Sequence, residues 1–183
     1  MNFLELIQTR QSVRRYSAKP VEKEFVVKCL EAGRLAPSAS NSQPWKFIVI
    51  DEPELRFKVA DATTNKGLPI NNFARQAPVL IVIVIERPGL ITRIAGKIKH
   101  KDFEWTDLGI TAEHICLQAT ELGLGTCMIG WFNEKKIMEL LGVPKNKRIG
   151  LVITLGYAIE NYLLRKKIRK QISSVISYNK WVQ

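Results

Sequence analysis

One run of the sequence restricts the fold more than any other. Val79–Ile85 is apolar at every position and rich in β-branched side chains. When all residues of a strand are apolar, both of its faces must be shielded from water, because successive side chains point to opposite sides. The run therefore predicts a buried strand whose sheet is covered on both sides. It is far shorter than the roughly 20 apolar residues that span a bilayer, so we expect no membrane partner.

The patterns around this strand predict a single α+β or α/β domain. Apolar residues spaced three and four apart indicate helices, and short runs of β-branched and aromatic residues indicate strands. The predicted helices cover residues 3–8, the stretch between Pro20 and Pro37, and residues 53–62, 107–122 and 134–141. The predicted strands cover residues 45–50, 79–85, 126–131 and 149–157. Residues 87–103 alternate apolar and basic helical faces, which is typical of a lid or a surface-binding helix.

Composition sets limits on the class of protein. A chain of 183 residues, 46% hydrophobic and 25% charged, is typical of one folded globular domain. The three cysteines, Cys29, Cys116 and Cys127, lack the spacing of a disulfide framework or a zinc site, so we expect small buried residues and no metal. The first residues have neither the basic start nor the apolar stretch of a signal peptide, which favours a cytoplasmic protein.

The net charge of +11 is compatible with three kinds of anionic partner: nucleic acid, a membrane surface or a phosphorylated cofactor. Much of the charge lies in Arg10–Arg15, Arg93–Lys101 and Arg165–Lys170. Only the fold can bring clusters so distant in sequence together. The last cluster belongs to a tail, residues 158–183, that has aromatic residues but no core of its own. We therefore expect the tail to pack on a partner subunit.

Several common catalytic motifs are absent from the sequence. Gly123-Leu124-Gly125 lacks the third glycine of a dinucleotide-binding fingerprint, and it follows a helix rather than a strand. There is no Walker motif, no G-x-S-x-G and no H-E-x-x-H, and the two histidines, His100 and His114, stand in different segments. Neither a metal site nor a serine triad is expected.

The segment Arg10-Gln11-Ser12-Val13-Arg14 separates two guanidinium groups by a hydroxyl on alternate residues. In an extended backbone Arg10, Ser12 and Arg14 point to the same side. The arginine fork matches phosphate oxygens, and serine adds a short donor between the two forks. The segment fits a phosphate monoester, and it fits a solvated surface run equally well.

The segment from Ala36 to Trp45 combines two prolines, three hydroxyls and two amides just before a predicted strand. The amides of Asn41 and Gln43 can donate and accept, as a planar heterocycle with alternating N–H and C=O groups requires. The alternative is a plain polar turn that leads Trp45 into the core.

Taken in order, these segments resemble the FMN-dependent nitroreductase family. The matching pieces are R-x-S-x-R at residues 10–14, A-P-S-x-x-N-x-Q-P-W at 36–45, L-G-L-G-T at 122–126 and I-G at 129–130, and they span nearly the whole chain. The resemblance implies an α+β fold with three α/β/α layers, a central mixed, mainly antiparallel sheet, and an intertwined homodimer. It also implies one FMN-binding domain over residues 1–183, whose tail at 158–183 extends over the partner subunit.

The same resemblance implies which residues bind FMN. The phosphate and ribityl end would be held by Arg10, Gln11, Ser12 and Arg14, joined by Lys167 and Arg169 of the tail. Contacts from the partner subunit would come from Pro37, Ser38, Ala39, Asn41 and Gln43. The isoalloxazine ring would lie along Met128, Ile129 and Gly130 with a backbone N–H near its N5 atom, and Asn71 or Asn72 would reach the pyrimidine edge. The tail departs from the family's R-K-P at Gln171.

The implied activity is a ping-pong reaction in which NADH or NADPH reduces FMN and a small acceptor, such as a nitroaromatic or a quinone, reoxidises it. No catalytic side chain is expected, because the flavin carries the chemistry. Two alternatives stay open: a related flavoprotein that dehalogenates or fragments flavin, and a basic nucleic-acid-binding module. The second rests on charge alone and leaves residues 37–45 unexplained, so we expect small-molecule partners and no nucleic acid.

Overall fold

The computed structural model describes residues 1–64, 70–86 and 102–181. The described helices are α1 (Phe3–Thr9), α2 (Lys23–Arg34), α3 (Pro53–Ala62), α4 (Phe103–Glu121) and α5 (Glu134–Leu141). The described strands are β1 (Trp45–Ile50), β2 (Val79–Ile85), β3 (Gly125–Ile129) and β4 (Arg148–Gly156). Most of the amphipathic stretch predicted over residues 87–103 lies outside the described residues, because 87–101 are not described. The basic segment 93–101 belongs to that part.

The four strands form one sheet in the order β1-β2-β4-β3, and each neighbouring pair is antiparallel. Val82, in the middle of β2, lies opposite Ile48 of β1 and Val152 of β4. One isolated parallel bridge joins Ser12 to Thr126 of β3 and adds the basic N-terminal segment to that edge. The sheet is mixed and mainly antiparallel, which confirms the predicted fold class.

Helices cover both faces of this sheet, as the apolar character of β2 predicts. Val82 and Val84 pack in one core with α3 and α5, whereas Ile81 and Ile83 pack in the other with α2 and α4. Every residue of β2 is at most 9% exposed. Burying one such side chain contributes about 1.5–3 kcal/mol, so the two faces of β2 join the outer layers to the sheet.

Several predicted boundaries are wrong by a few residues. α4 begins at Phe103 rather than at Asp107, because the buried Asp107 carboxyl accepts a hydrogen bond from a neighbouring loop instead of capping the helix. β3 ends at Ile129 rather than at Trp131. The reason is that the Asn71 amide binds the carbonyl of Trp131, so the chain leaves the sheet before that residue.

Several large apolar side chains are exposed, and those of the tail and of α1 are among the most exposed. In the tail, Ile168 is 89% exposed, Ile172 73% and Trp181 88%, and in α1 Phe3 and Leu4 are each 66% exposed. Contiguous apolar surface of this kind marks a contact with another molecule more often than a free surface. In the ranges described, none of the helices is both long enough and apolar enough to cross a membrane.

Candidate functional site

Residues 10–16 form an extended basic segment along the edge of β3. The Val13 amide donates to the carbonyl of Thr126 at 2.8 Å, and the Val13 side chain is only 5% exposed. Three residues further on, the buried Tyr16 hydroxyl donates to the Val13 carbonyl at 2.9 Å and lies 2.6 Å from Oγ1 of Thr154. Because Val13 points into the core, its neighbours Ser12 and Arg14 face outward.

A glycine in β3 makes this close approach possible. A Cβ atom placed on Gly125 would lie 2.5 Å from Cγ2 of Val13, nearer than carbon atoms can pack. The absence of a side chain at Gly125 therefore sets the distance between the sheet and the basic segment.

The root of the tail, which we define as residues 162–167, closes over the same segment. The Gln11 amide uses both of its ends: Oε1 accepts from the Arg165 amide at 3.1 Å, and Nε2 donates to the Leu163 carbonyl at 3.2 Å. Further hydrogen bonds run from the Arg14 amide to the Tyr162 hydroxyl, from the Arg165 guanidinium to the Ser12 carbonyl, and from Lys167 Nζ to the Arg10 carbonyl. Both ends of the chain thus meet at one place.

Cations crowd together where the two segments meet. Burial, and then the neighbouring guanidinium groups of Arg10 and Arg169, lower the pKa of the Lys167 ammonium. Burial raises the pKa of the Cys127 thiol in β3, and the charges of Arg14 and Arg165 act against that rise. Like charges this close repel one another, and a bound anion would offset the repulsion.

One carboxylate takes part in this cluster. Glu113 of α4 lies 3.2 Å from Nε of Arg10, whose side chain is 22% exposed. The ion pair is formed through Nε, and the guanidinium has further N–H donors on its terminal nitrogens, whose fork geometry matches a phosphate. Glu113 therefore orients Arg10 without neutralising the other cations.

The second predicted element, the loop of residues 37–43, is held on a different side of α4. Both carboxylate oxygens of Asp107 accept from the Ala39 amide, at 3.1 and 3.2 Å. Within the loop the backbone N–H of Gln43 donates to Ser38 Oγ at 2.9 Å. Asp107 and Glu113 are six residues apart on α4, which corresponds to about 9 Å along the helix axis and about 120° around it. The loop and the cation cluster thus contact different faces of one helix.

The loop has unusual backbone geometry. Three residues, Ser40, Asn41 and Gln43, have φ values of 52°, 52° and 45°. These values lie in the left-handed region, which residues other than glycine seldom adopt. Each such residue costs on the order of 1 kcal/mol and persists only where its surroundings enforce it. The Ser42 hydroxyl, in the same loop, is buried and has no hydrogen-bond partner among the residues that the structure describes.

The third predicted element lies at the end of β3. Met128 is half-buried and Ile129 is buried, whereas Gly130 is exposed. A Cβ atom on Gly130 would meet no atom within 4 Å in the described part of the chain. Asn71 has a φ of 59° and donates from Nδ2 to the carbonyls of Thr63 and Trp131 at 3.0 and 3.1 Å. Asn71 thus fixes the chain that follows Gly130, and Asn72 beside it is exposed.

The fold brings some predicted site residues together and separates others. Arg10, Gln11, Ser12, Arg14 and Lys167 meet, and Arg169 lies close enough to influence Lys167. β3 links them to the third element, since Thr126 pairs with Ser12 four residues before Gly130, a span of about 13 Å in a strand. Arg165 is not among the predicted site residues, although it belongs to the basic cluster Arg165–Lys170, and its guanidinium donates to the Ser12 carbonyl. Across the parts of the chain described, no three His, Cys, Asp or Glu side chains are grouped to hold a metal ion.

Comparisons with known proteins agree on one family. Residues 7–157 match the model of the Nitroreductase family. A nitroreductase family protein from Clostridium difficile 630 superposes with a TM-score of 0.80 at 31% identity, covering 99% of this chain and 100% of that one. An FMN-dependent nitroreductase from Clostridium difficile R20291 has a TM-score of 0.77 at 30% identity, covering 98% of this chain and 100% of that one.

The names of curated relatives also mention NADH and NAD(P)H. An Archaeoglobus fulgidus protein provisionally named NADH dehydrogenase/NAD(P)H nitroreductase is 35% identical over 159 residues, covering 84% of each chain. Iodotyrosine deiodinase 1 from Rattus norvegicus is more distant, at 24% identity over 196 residues, covering 95% of this chain and 68% of the relative.

Proposed function

The chain belongs to the nitroreductase family, and on that premise we propose that it is an FMN-dependent oxidoreductase that uses NADH or NADPH to reduce small acceptors such as nitroaromatics or quinones. The observation that carries the proposal is the convergence of cations from the two ends of the chain. Arg10, Arg14, Arg165 and Lys167 surround one short stretch of backbone at the edge of β3.

The residues present fit the phosphate of FMN. A phosphate monoester carries about 1.5 to 2 negative charges at neutral pH, and the cluster combines guanidinium forks, an ammonium group and the Ser12 hydroxyl. Burial, and then the charges of Arg10 and Arg169, lower the pKa of Lys167, and a bound dianion would offset the repulsion among these cations. At the other end of β3 the open space beside Gly130 leaves room for a planar ring.

In this proposal the protein binds and orients, and FMN when bound supplies the hydride and electron chemistry. The basic segment and the root of the tail hold the phosphate. The backbone at Ile129 and Gly130 would hold the isoalloxazine ring and would offer it a backbone N–H donor. NAD(P)H and the acceptor use the same exposed face in turn, which requires that the first product leave before the second substrate binds.

We propose further that the active form is a homodimer in which the loop of residues 37–43 completes the flavin site of the partner. The exposed side chains of α1 and of the tail, among them Phe3, Ile168 and Trp181, supply apolar surface for such a contact. The positions of Asp107 and Glu113 on different faces of α4 support an arrangement in which the loop serves another subunit. The tail beyond residue 167 would lie over that subunit.

The kinship with iodotyrosine deiodinase 1 favours one second candidate, reductive dehalogenation on the same flavin. Assays with iodotyrosine and with a nitroaromatic acceptor, each with bound FMN quantified, separate the two activities. The identity to the nitroreductases is higher, and we therefore expect the nitroaromatic or quinone to be the better acceptor.

The test of the proposed function begins with the absorption spectrum of the purified protein and its titration with FMN and riboflavin. Arg10→Ala should weaken FMN binding by about 1.5–3 kcal/mol, the value of a charge-assisted hydrogen bond. Riboflavin has no phosphate, so its affinity should barely change, and Gln8→Ala on the exposed side of α1 serves as the control. Equal losses for the two flavins would remove the phosphate assignment, and no flavin binding at all would remove the proposed function.

A further inference from the structure

Three side chains of α4 bind the end of α2 and the loop that follows it. The Asp107 carboxyl accepts from the Ala39 amide, Thr111 Oγ1 donates to the Gly33 carbonyl at 2.7 Å, and His114 Nδ1 lies 3.2 Å from the Ala32 carbonyl. Positions 107, 111 and 114 are spaced by four and three residues and therefore lie on one helical face. This face holds the approach to the loop and the loop itself.

Of the three, Asp107 alone contacts the loop of residues 37–43 through the bonds just named. Asp107 is 4% exposed. Burying a carboxyl costs free energy unless hydrogen bonds offset the loss of water. The group it holds, the Ala39 amide, directly precedes the left-handed residues Ser40 and Asn41. A buried acid beside a strained loop is a combination that recurs at functional sites, because the strain lasts only while a neighbour enforces it.

We infer that Asp107 is a positioning residue for the flavin site: it holds the loop of residues 37–43 in the strained form that meets the flavin of the partner subunit. This inference rests on the proposed function. It assigns Asp107 no contact with substrate or cofactor, since the side chain acts through the Ala39 amide. Without Asp107, the residues Ser40, Asn41 and Gln43 would relax to ordinary φ values and withdraw their amide and hydroxyl groups from the neighbouring site.

A comparison of three variants separates this role from a loss of stability. Asp107→Leu removes the acceptor, Asp107→Asn keeps one carbonyl oxygen in the same place, and Thr111→Val removes a buried hydrogen bond of the same helical face without touching the loop. Dissociation constants for FMN and riboflavin are measured by quenching of flavin fluorescence, and unfolding is measured in urea.

We expect Asp107→Leu to weaken the binding of FMN and of riboflavin by the same factor, about tenfold or more. The substitution removes a charged hydrogen bond, and the loop that this bond holds would contact the ring, which both flavins share, rather than the phosphate. Asp107→Asn should restore most of the affinity, and Thr111→Val should keep full affinity despite reduced stability. Unchanged affinity in Asp107→Leu would overturn the inference. So would a loss in Thr111→Val as large as that in Asp107→Leu, because the effect would then follow stability alone.

A mixed dimer tests whether the loop serves the partner. One chain carries Arg10→Ala and the other Asp107→Leu, with different affinity tags to isolate the mixed species. If the loop acts across the dimer, one site receives both defects and the other none, so the mixed dimer binds one FMN with wild-type affinity. If the loop acts within its own chain, both sites are defective, and the absence of any wild-type site would overturn the inference. Wild-type protein that binds no flavin would instead refute the proposed function.

Discussion

Gly125→Ala probes the contact between the sheet and the basic segment most directly. The added methyl would lie 2.5 Å from Cγ2 and 2.8 Å from Cβ of Val13. The Val13 side chain cannot simply rotate away, because its amide is bound to the Thr126 carbonyl at 2.8 Å and its side chain is buried. The backbone of residues 12–14 must therefore move with it.

The size of the effect follows from these distances. Ordinary contact begins near 3.4 Å, so the segment must shift by about 0.9 Å to accept the methyl. Overpacking a well-filled core by a methyl group costs about 1–3 kcal/mol. A displacement of that size would also misalign Ser12 and Arg14 with a bound phosphate, and a charged hydrogen bond lost there weakens binding by about tenfold or more.

Urea unfolding and flavin titration measure the two effects separately. Gly109→Ala on the exposed side of α4 is the matched control, because its methyl would meet no atom of the described residues within 4 Å and should cost little. Adding Val13→Ala to Gly125→Ala removes the closest contact, with Cγ2 at 2.5 Å, and leaves the contact with Cβ at 2.8 Å. Part of the clash is thus relieved, so the double variant should be less destabilised than the two single effects added together. Gly125→Ala protein with wild-type stability and wild-type FMN affinity would refute the reasoning, as would additive losses in the double variant.

Three further outcomes are expected. Gly130→Val should fold normally, since its site is open, yet lose FMN or NAD(P)H oxidation per bound FMN; unchanged turnover per flavin would contradict a ring beside Gly130. Truncation after Tyr157 should abolish both the dimer and flavin binding, and light scattering that shows a flavin-loaded monomer would contradict this. Burial raises the pKa of Asp107, so the folded state binds its proton more tightly, and its contribution to the free energy of unfolding falls as the pH rises from about 4 through the folded pKa. The stability difference between wild type and Asp107→Asn should decline over that window in urea unfolding, and a constant difference would contradict it.

The fold could be predicted where local pattern decides it. The apolar run of β2 required cover on both faces, and Asn133 and Gly142 marked the ends of α5 through a side-chain cap and a left-handed residue. These features depend on residues close in sequence, so one chain is enough to recognise them. The predicted end of β3 was wrong because the strand end depends on Asn71, a residue from another part of the chain, which binds the Trp131 carbonyl.

The site was predictable in its parts and not in its assembly. The alternation of Arg10, Ser12 and Arg14 suggested an anion site, and the family resemblance added Lys167. Nothing in the spacing showed that Arg165 reaches the Ser12 carbonyl, because the two residues are 153 positions apart. Gln11, which the family resemblance implies as a flavin contact, binds the root of the tail with both ends of its side-chain amide. The assignment of individual residues to FMN stays a prediction.

The meeting of the two chain ends has a consequence for biosynthesis. Gln11 is synthesised 152 positions before its partner Leu163. Long-range closure of this kind is slow, and N-terminal parts of a chain are synthesised and begin to fold first. The sheet must therefore form without help from any anion, and the anion site is completed last. A ligand bound there would stabilise the finished protein by mass action, so we expect a shortage of ligand to shorten the lifetime of the folded chain and to leave the rate of sheet formation unchanged.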